Sequence, residues 1–167
     1  LYFSEGERDF AEGIAPIVVI EPNMKNSASP NKTWSRWASL VALLNREGIR
    51  PTMMGAVGGM QGATFIPTPT FRHAAAVLAR SRVAILPEGG LHHAAAALGV
   101  SAVVLYGGYI SPRQTGYAMH VNLFTGGEPC GRRQSCGHCI KAMQQIEPEW
   151  VVAEAMKLLK ERSDGTQ

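Results

Sequence analysis

The chain alternates short unbroken apolar runs with longer stretches in which apolar residues recur every three or four positions, and the two patterns predict different elements. Ile17-Val18-Val19-Ile20 is rich in β-branched residues and stops at Glu21-Pro22, as a strand buried on both faces would. Residues 23–31 are polar and aperiodic and read as a loop. Thr33 then stands where it can cap a helix that carries Trp34, Trp37, Leu40, Val41 and Leu44 on one face and ends near Gly48. Residues 52–54 give a weaker strand, and residues 55–62, with four glycines, read as a mobile loop. A helix opened by Thr68-Pro69-Thr70 runs to about Arg80. Residues 83–86 are strand-like, 89–98 helical, 102–105 strand-like, and 121–124 add a strand. Pro148 opens a closing helix with Trp150, Val151, Ala155, Leu158 and Leu159. Strands and helices in alternation, the strands apolar throughout, predict an α/β fold: a Rossmann-like three-layer sandwich around a mainly parallel sheet, with right-handed crossovers.

Length and composition narrow the class. At 167 residues one domain is the default. It is placed at residues 16–162, after a lead-in at 1–15 whose Leu1-Tyr2-Phe3-Ser4 resembles the remnant of an engineered cleavage tag, and before a tail at 163–167. With 46% hydrophobic and 17% charged residues, a disordered chain is excluded. The net charge of +3 comes from scattered lysines and arginines, so no nucleic-acid partner is expected. No apolar run approaches the ~20 residues that cross a bilayer, which predicts a soluble chain. Its three cysteines fall within ten residues, which argues against a secreted disulfide scaffold and for a reducing, cytoplasmic setting.

In open parallel sheets ligands collect beyond the carboxyl ends of the strands. There, Pro87-Glu88-Gly89-Gly90-Leu91-His92-His93-Ala94 turns a strand into an alanine-rich helix. Its glycines let backbone N–H groups and the helix dipole face an anion such as a diphosphate. Glu88 can accept hydrogen bonds from sugar hydroxyls, and His92 and His93 can donate to phosphate oxygens. A plain tight turn over a packed alanine face is the competing reading, with His93 as a hydrogen-bonded structural histidine. Asn31-Lys32-Thr33-Trp34 follows the first strand on the same sheet edge. Lys32 can set a point charge on a diphosphate and stabilise the charge that grows as a glycosidic bond breaks, or it is a surface lysine beside a cap. Trp34 and Trp37 read as core. Gly107-Gly108-Tyr109-Ile110-Ser111-Pro112 follows another strand; its glycines permit close approach to a ligand, Ser111 can cap a short helix, and Tyr109 or Tyr117 can meet a base or sugar.

Cys130, Cys136 and Cys139, with His138 among them and His120 upstream, make up a Cys-rich loop at 128–140. The cysteines with His120 have the ligand types for a structural zinc or iron site. A cysteine bridge formed in air and reduced, packed thiols stay open beside it.

Val18-Val19-Ile20, Lys32-Thr33-Trp34, and above all the run from Pro87 through Glu88-Gly89-Gly90-Leu91-His92-His93 to Leu98-Gly99-Val100 resemble glycosyltransferase family 9, the ADP-heptose:lipopolysaccharide heptosyltransferase relatives. The likeness is to their C-terminal half and covers nearly the whole chain. It implies a GT-B arrangement in which this half binds a nucleoside diphosphate sugar, an ADP-sugar favoured, without a catalytic metal. Lys32 would be the catalytic contact to the diphosphate. Glu88, Gly89, Gly90, His92, His93, Gly107, Gly108 and Asn23 would line the donor pocket. Heptosyltransferases usually carry Asp-Thr-Gly at Glu88-Gly89-Gly90, a departure that bears on the sugar. The acceptor domain, N-terminal in the family, has no residues in this chain. The resemblance further implies a bacterial or phage setting, transfer to a cell-envelope or protein acceptor, and peripheral association with the inner membrane surface. The alternative is a non-catalytic Rossmann-like binding or assembly module, stabilised by a metal at the cysteines.

Overall fold

The computed structural model describes residues 1–22, 30–56, 58–125 and 127–164. Six strands, β1 (Val18–Ile20), β2 (Thr52–Gly55), β3 (Thr64–Pro67), β4 (Val83–Pro87), β5 (Ala102–Tyr106) and β6 (Val121–Phe124), form one sheet in the order β3-β2-β1-β4-β5-β6. Every pair is parallel, with Val19 opposite Thr52 and Ala84, Ile85 opposite Val103, and Leu105 opposite Leu123. This is the doubly wound order, and its direction reverses between β1 and β4, where the loops leaving two adjacent strands part to opposite sides.

Side chains alternate between the two faces of the sheet, and each face is covered. Val18, Ile20, Ile85, Val103, Leu105 and Leu123 pack with α2 (Trp37–Arg46) and α7 (Pro148–Asp164). Val19, Ala84, Leu86, Val104 and Tyr106 pack with α3 (Phe71–Ala79) and α4 (Gly90–Ala97). Trp37, Leu40, Val41 and Leu44 of α2 are all buried, each burial contributing roughly 1.5–3 kcal/mol. Gly48 and Gly99, both at positive φ, close α2 and α4 as C-terminal glycines do.

Several expectations are corrected. Thr33 caps nothing: residues 30–32 form a 3₁₀ turn, and α2 starts only at Trp37, with Arg36 before it. Trp34 lies outside the helix but is buried, its indole N–H donating to Ile146 O at 3.1 Å. Beyond the glycine-rich segment lies an unforeseen edge strand, β3, partly exposed and ending on Pro67. Two further helices also went unread. The lead-in folds as α1 (Glu5–Ala11), with Ser4 and Glu7 in a reciprocal capping box and Phe3 and Phe10 against the second core face. Gly137–Gln144 forms α6, which buries Cys139, Ala142 and Met143. The short helix after Ser111 is α5 (Pro112–Thr115), capped by that serine as expected. Trp150 faces outward from α7, 40% exposed.

Candidate functional site

Two connections leave the sheet at its reversal point, and each brings a charged side chain to it. The 3₁₀ turn after β1 carries Lys32; the turn from β4 into α4 carries Glu88. Their side chains form an ion pair, only 16% and 7% exposed. The Lys32 ammonium also lies 4.9 Å from the centre of the Tyr109 ring, within cation–π range. A desolvated lysine and carboxylate at the mouth of a parallel sheet are strongly coupled, because little water remains to screen them.

The Gly89-Gly90 turn is organised by its own histidine. His92 is fully buried, with Nε2 2.9 Å from Thr115 O and Nδ1 3.0 Å from Gly89 N and 2.5 Å from Gly89 O. With Nε2–H committed to Thr115, Nδ1 accepts from Gly89 N–H, so both ring nitrogens are engaged inside the protein. The ring therefore shapes the turn rather than facing a ligand. His93 is exposed beside it, Nδ1 2.9 Å from Tyr117 Oη. Burial first, then the His92 ring and the Lys32 charge, hold the His93 imidazole below its ordinary pKa against the pull of Glu88, so it stands as a neutral hydrogen-bonding group near pH 7. One ligand atom each of Glu88, His92 and His93 lie within 4.8 Å of one another.

Gly107 and Gly108 are used differently from the expectation. Both are buried, and what approaches their bare faces is protein. A Cβ on Gly107 would stand 2.7 Å from Met143 Cγ and 2.9 Å from Asn31 O; one on Gly108 would stand 2.5 Å from His138 Cε1. The bare faces of both glycines admit α6 and the Asn31 backbone. Beside them, a hollow of about 310 Å³ is lined by Tyr109, Ile110, Gln114, Pro129, Cys130 and Gly131, adjoining Lys32 through Tyr109. A larger hollow of about 480 Å³ lies between α2 and α7, lined by Leu43, Val152 and Met156 among others, remote from this chemistry. Asn23 lies outside the described residues.

The cysteine loop gathers a complete set of four donors, though not the set expected. Cys130, Cys136, His138 and Cys139 bring ligand atoms within 4.8 Å of one another. Cys130 Sγ is 2.9 Å from Cys139 Sγ and 3.9 Å from Cys136 Sγ. His120 is elsewhere, buried, its Nε2 3.1 Å from His92 O. The chain's path explains the exchange: His120 directly precedes β6 and is held against His92 of α4, whereas His138 sits within the first turn of α6, between Cys136 and Cys139. Burial pushes the Cys139 thiol up to about 12, while the Cys139 backbone N–H lowers that of Cys136. Three sulfurs and an imidazole are the donors of a tetrahedral Zn²⁺ or iron centre.

Two residues at this edge have surroundings that the sequence does not announce. Glu21, directly after β1, is largely buried, which pushes its carboxyl up to about 7. Asn31 is 1% exposed and bonded to the cysteine loop. Glu21 is readable only as the first polar residue after a buried strand, and Asn31, although it opens the Asn31-Lys32-Thr33-Trp34 segment, has no sequence signal for its partners.

No protein-family model matches the chain, and no curated protein does, but solved structures superpose on it closely. The E. coli ADP-heptose LPS heptosyltransferase II aligns at TM-score 0.71 and 20% identity, over 98% of this chain and 54% of that one. A glycosyl transferase family 9 protein from Veillonella parvula aligns at 0.67 and 18%, over 96% and 53%. TibC, described as a bacterial iron-containing dodecameric glycosyltransferase from enterotoxigenic E. coli, aligns at 0.69 and 18%, over 89% and 46%. The chain spans about half the length of each. It has, over that half, the Rossmann-like fold of the family 9 heptosyltransferases.

Proposed function

We propose that the chain is the nucleotide-sugar-binding domain of a cytoplasmic glycosyltransferase. It would hold the donor while the sugar, a heptose by analogy with the matched enzymes, passes to a cell-envelope or protein acceptor bound by a further domain. The Lys32–Glu88 pair at the sheet's reversal point carries this reading. A diphosphate entering there meets the ammonium of Lys32 and the N-terminus of α4, both suited to the charge that develops on a departing nucleoside diphosphate. Glu88, released from Lys32, accepts from the hydroxyls of the sugar. His93 donates to a phosphate oxygen. Lys32 is thus the residue in contact with the reacting bond; Gly89 and Gly90 supply backbone, and His92 holds their shape. An ADP-sugar is the favoured donor, and donor binding needs no metal.

The cysteine set fits a structural metal. Thiolates bound at about 2.3 Å in a tetrahedron stand roughly 3.7 Å apart, a spacing that small side-chain rotations reach from the present 2.9 and 3.9 Å. Cys130, Cys136, His138 and Cys139 would hold zinc or iron, and the iron described for TibC supports the latter. The ion would cross-link a loop that has little regular structure of its own.

Calorimetry with ADP, UDP, GDP and their sugars tests the donor reading. Saturable binding by one nucleotide series is the expected result; none up to millimolar concentration overturns it. The mutual neutralisation of Lys32 and Glu88 favours one other reading, a non-catalytic assembly module in which the pair is only structural. Lys32→Ala and Glu88→Ala would then change stability but no ligand affinity.

A further inference from the structure

Lys32 and the cysteine loop are joined through one buried side chain. Asn31 Nδ2 donates to Arg132 O at 2.7 Å and to Gln134 O at 2.8 Å, and its Oδ1 accepts from Cys136 N–H at 2.8 Å. The whole amide is therefore committed to the backbone of the loop that bears Cys130 and Cys136. Such an amide, buried and fully satisfied, holds its position only while that backbone holds its own. A second strap lies alongside. Cys130 N–H donates to Gly108 O at 2.9 Å and Gly131 N–H to Tyr109 O at 3.0 Å, and it is the Tyr109 ring that faces the Lys32 ammonium. The packing under Gly107 closes the arrangement, since Asn31 O and Met143 of α6 both press on that glycine.

The turn carrying Lys32 is thus shaped on two sides by residues 130–136, a segment without helix or strand whose two ends are the metal-binding candidates Cys130 and Cys136, with His138 and Cys139 following in α6. Cross-linking that segment through its sulfurs removes its freedom; releasing it returns the freedom to whatever leans on it.

We infer that Asn31 is a positioning residue that transmits the ligand state of the Cys130–Cys136–His138–Cys139 set to Lys32. The transmission itself needs only the two loops. Its consequence for a nucleoside diphosphate rests on the function proposed above: by linkage, filling the cysteine set and filling the donor site strengthen each other by one common factor.

Backbone hydrogen exchange on the whole chain tests this, with cobalt(II) as the probe metal and its thiolate absorption reporting loading. In the wild type, cobalt slows exchange across the amides of residues 31–37 by about tenfold, within the usual range of coupling between sites. In Asn31→Ala those amides exchange fast with or without cobalt, while the thiolate band remains. Asn31→Asp, which keeps the acceptor for Cys136 N–H, gives an intermediate response and serves if the alanine variant fails to fold. Failure of cobalt to bind, exchange at 31–37 indifferent to cobalt in the wild type, or an equal response in Asn31→Ala would each overturn the inference. ADP titrations in the same samples separate it from the donor reading. A full exchange response with no ADP binding to any form supports Asn31 as the transmitter and sinks the donor site.

Discussion

At the residue scale, the charges of Lys32 and Glu88 protect one another from the cost of burial. Removing one partner strands the other: Lys32→Ala leaves Glu88 in a site where it is 7% exposed, a change that typically costs about 3–5 kcal/mol. Replacing both, as Lys32→Met with Glu88→Gln, strands neither and recovers most of that stability in urea unfolding. Nucleotide affinity stays lost in both variants, by roughly 10- to 100-fold for one charge-assisted contact, and calorimetry reads the two effects separately. Glu21 gives a second prediction. Burial lifts its carboxyl from 4.5 to about 7, so the folded chain keeps a proton that the unfolded chain releases. The stabilisation linked to that proton is present below about pH 4.5 and is lost as the pH rises to about 7. Thermal melts of Glu21→Gln against the wild type between pH 5 and 8 should show the variant without this decline. Glu88 was legible because it directly follows an apolar strand, and Lys32 because it stands in the polar connection between such a strand and the next helical period. Asn31 was not, because the groups that satisfy its amide lie about a hundred residues away in sequence.

At the scale of elements, the informative contacts lie where loops touch. Gly107→Ala presses a methyl onto Met143 and onto the backbone oxygen of Asn31, and Gly108→Ala onto His138 and the Cα of Cys139. Each should lower unfolding free energy by about 1–3 kcal/mol, as overpacking does. Gly90→Ala meets only the edge of Phe71, a ring that is half exposed and free to give way, and should cost well under half as much. Chemical denaturation of the three variants checks the ranking. The elements read correctly were those whose burial leaves an apolar run, such as β4 and β5, or a clean helical period, such as α3 and α7. Edge strand β3 has no such run, because an edge position asks for less apolar surface. The cysteines at and before α6 drew attention as ligands, which hid the amphipathic Cys139, Ala142 and Met143 face. Thr33 failed as a cap because the 3₁₀ turn before it swings Trp34 into the core.

For the whole molecule, a metal held by the cysteine set would tie the segment leading from β6 to α6 against the sheet edge that carries Lys32. Stripping metal should therefore lower the melting temperature, and restoring it should raise the midpoint with metal concentration, as mass action requires of any ligand bound only by the folded state. Scanning calorimetry of stripped and reloaded protein checks this, and a midpoint indifferent to metal would return the cysteines to a packing role. The resting ion pair has a consequence for selectivity. An anion that captures Lys32 deprives Glu88 of its counter-charge, and only a guest bringing hydroxyls can make up the loss. Bare pyrophosphate should accordingly be a poor occupant, a nucleotide sugar a good one, so that the domain rejects the cell's abundant simple phosphates by leaving them to bear the expense of an orphaned carboxylate.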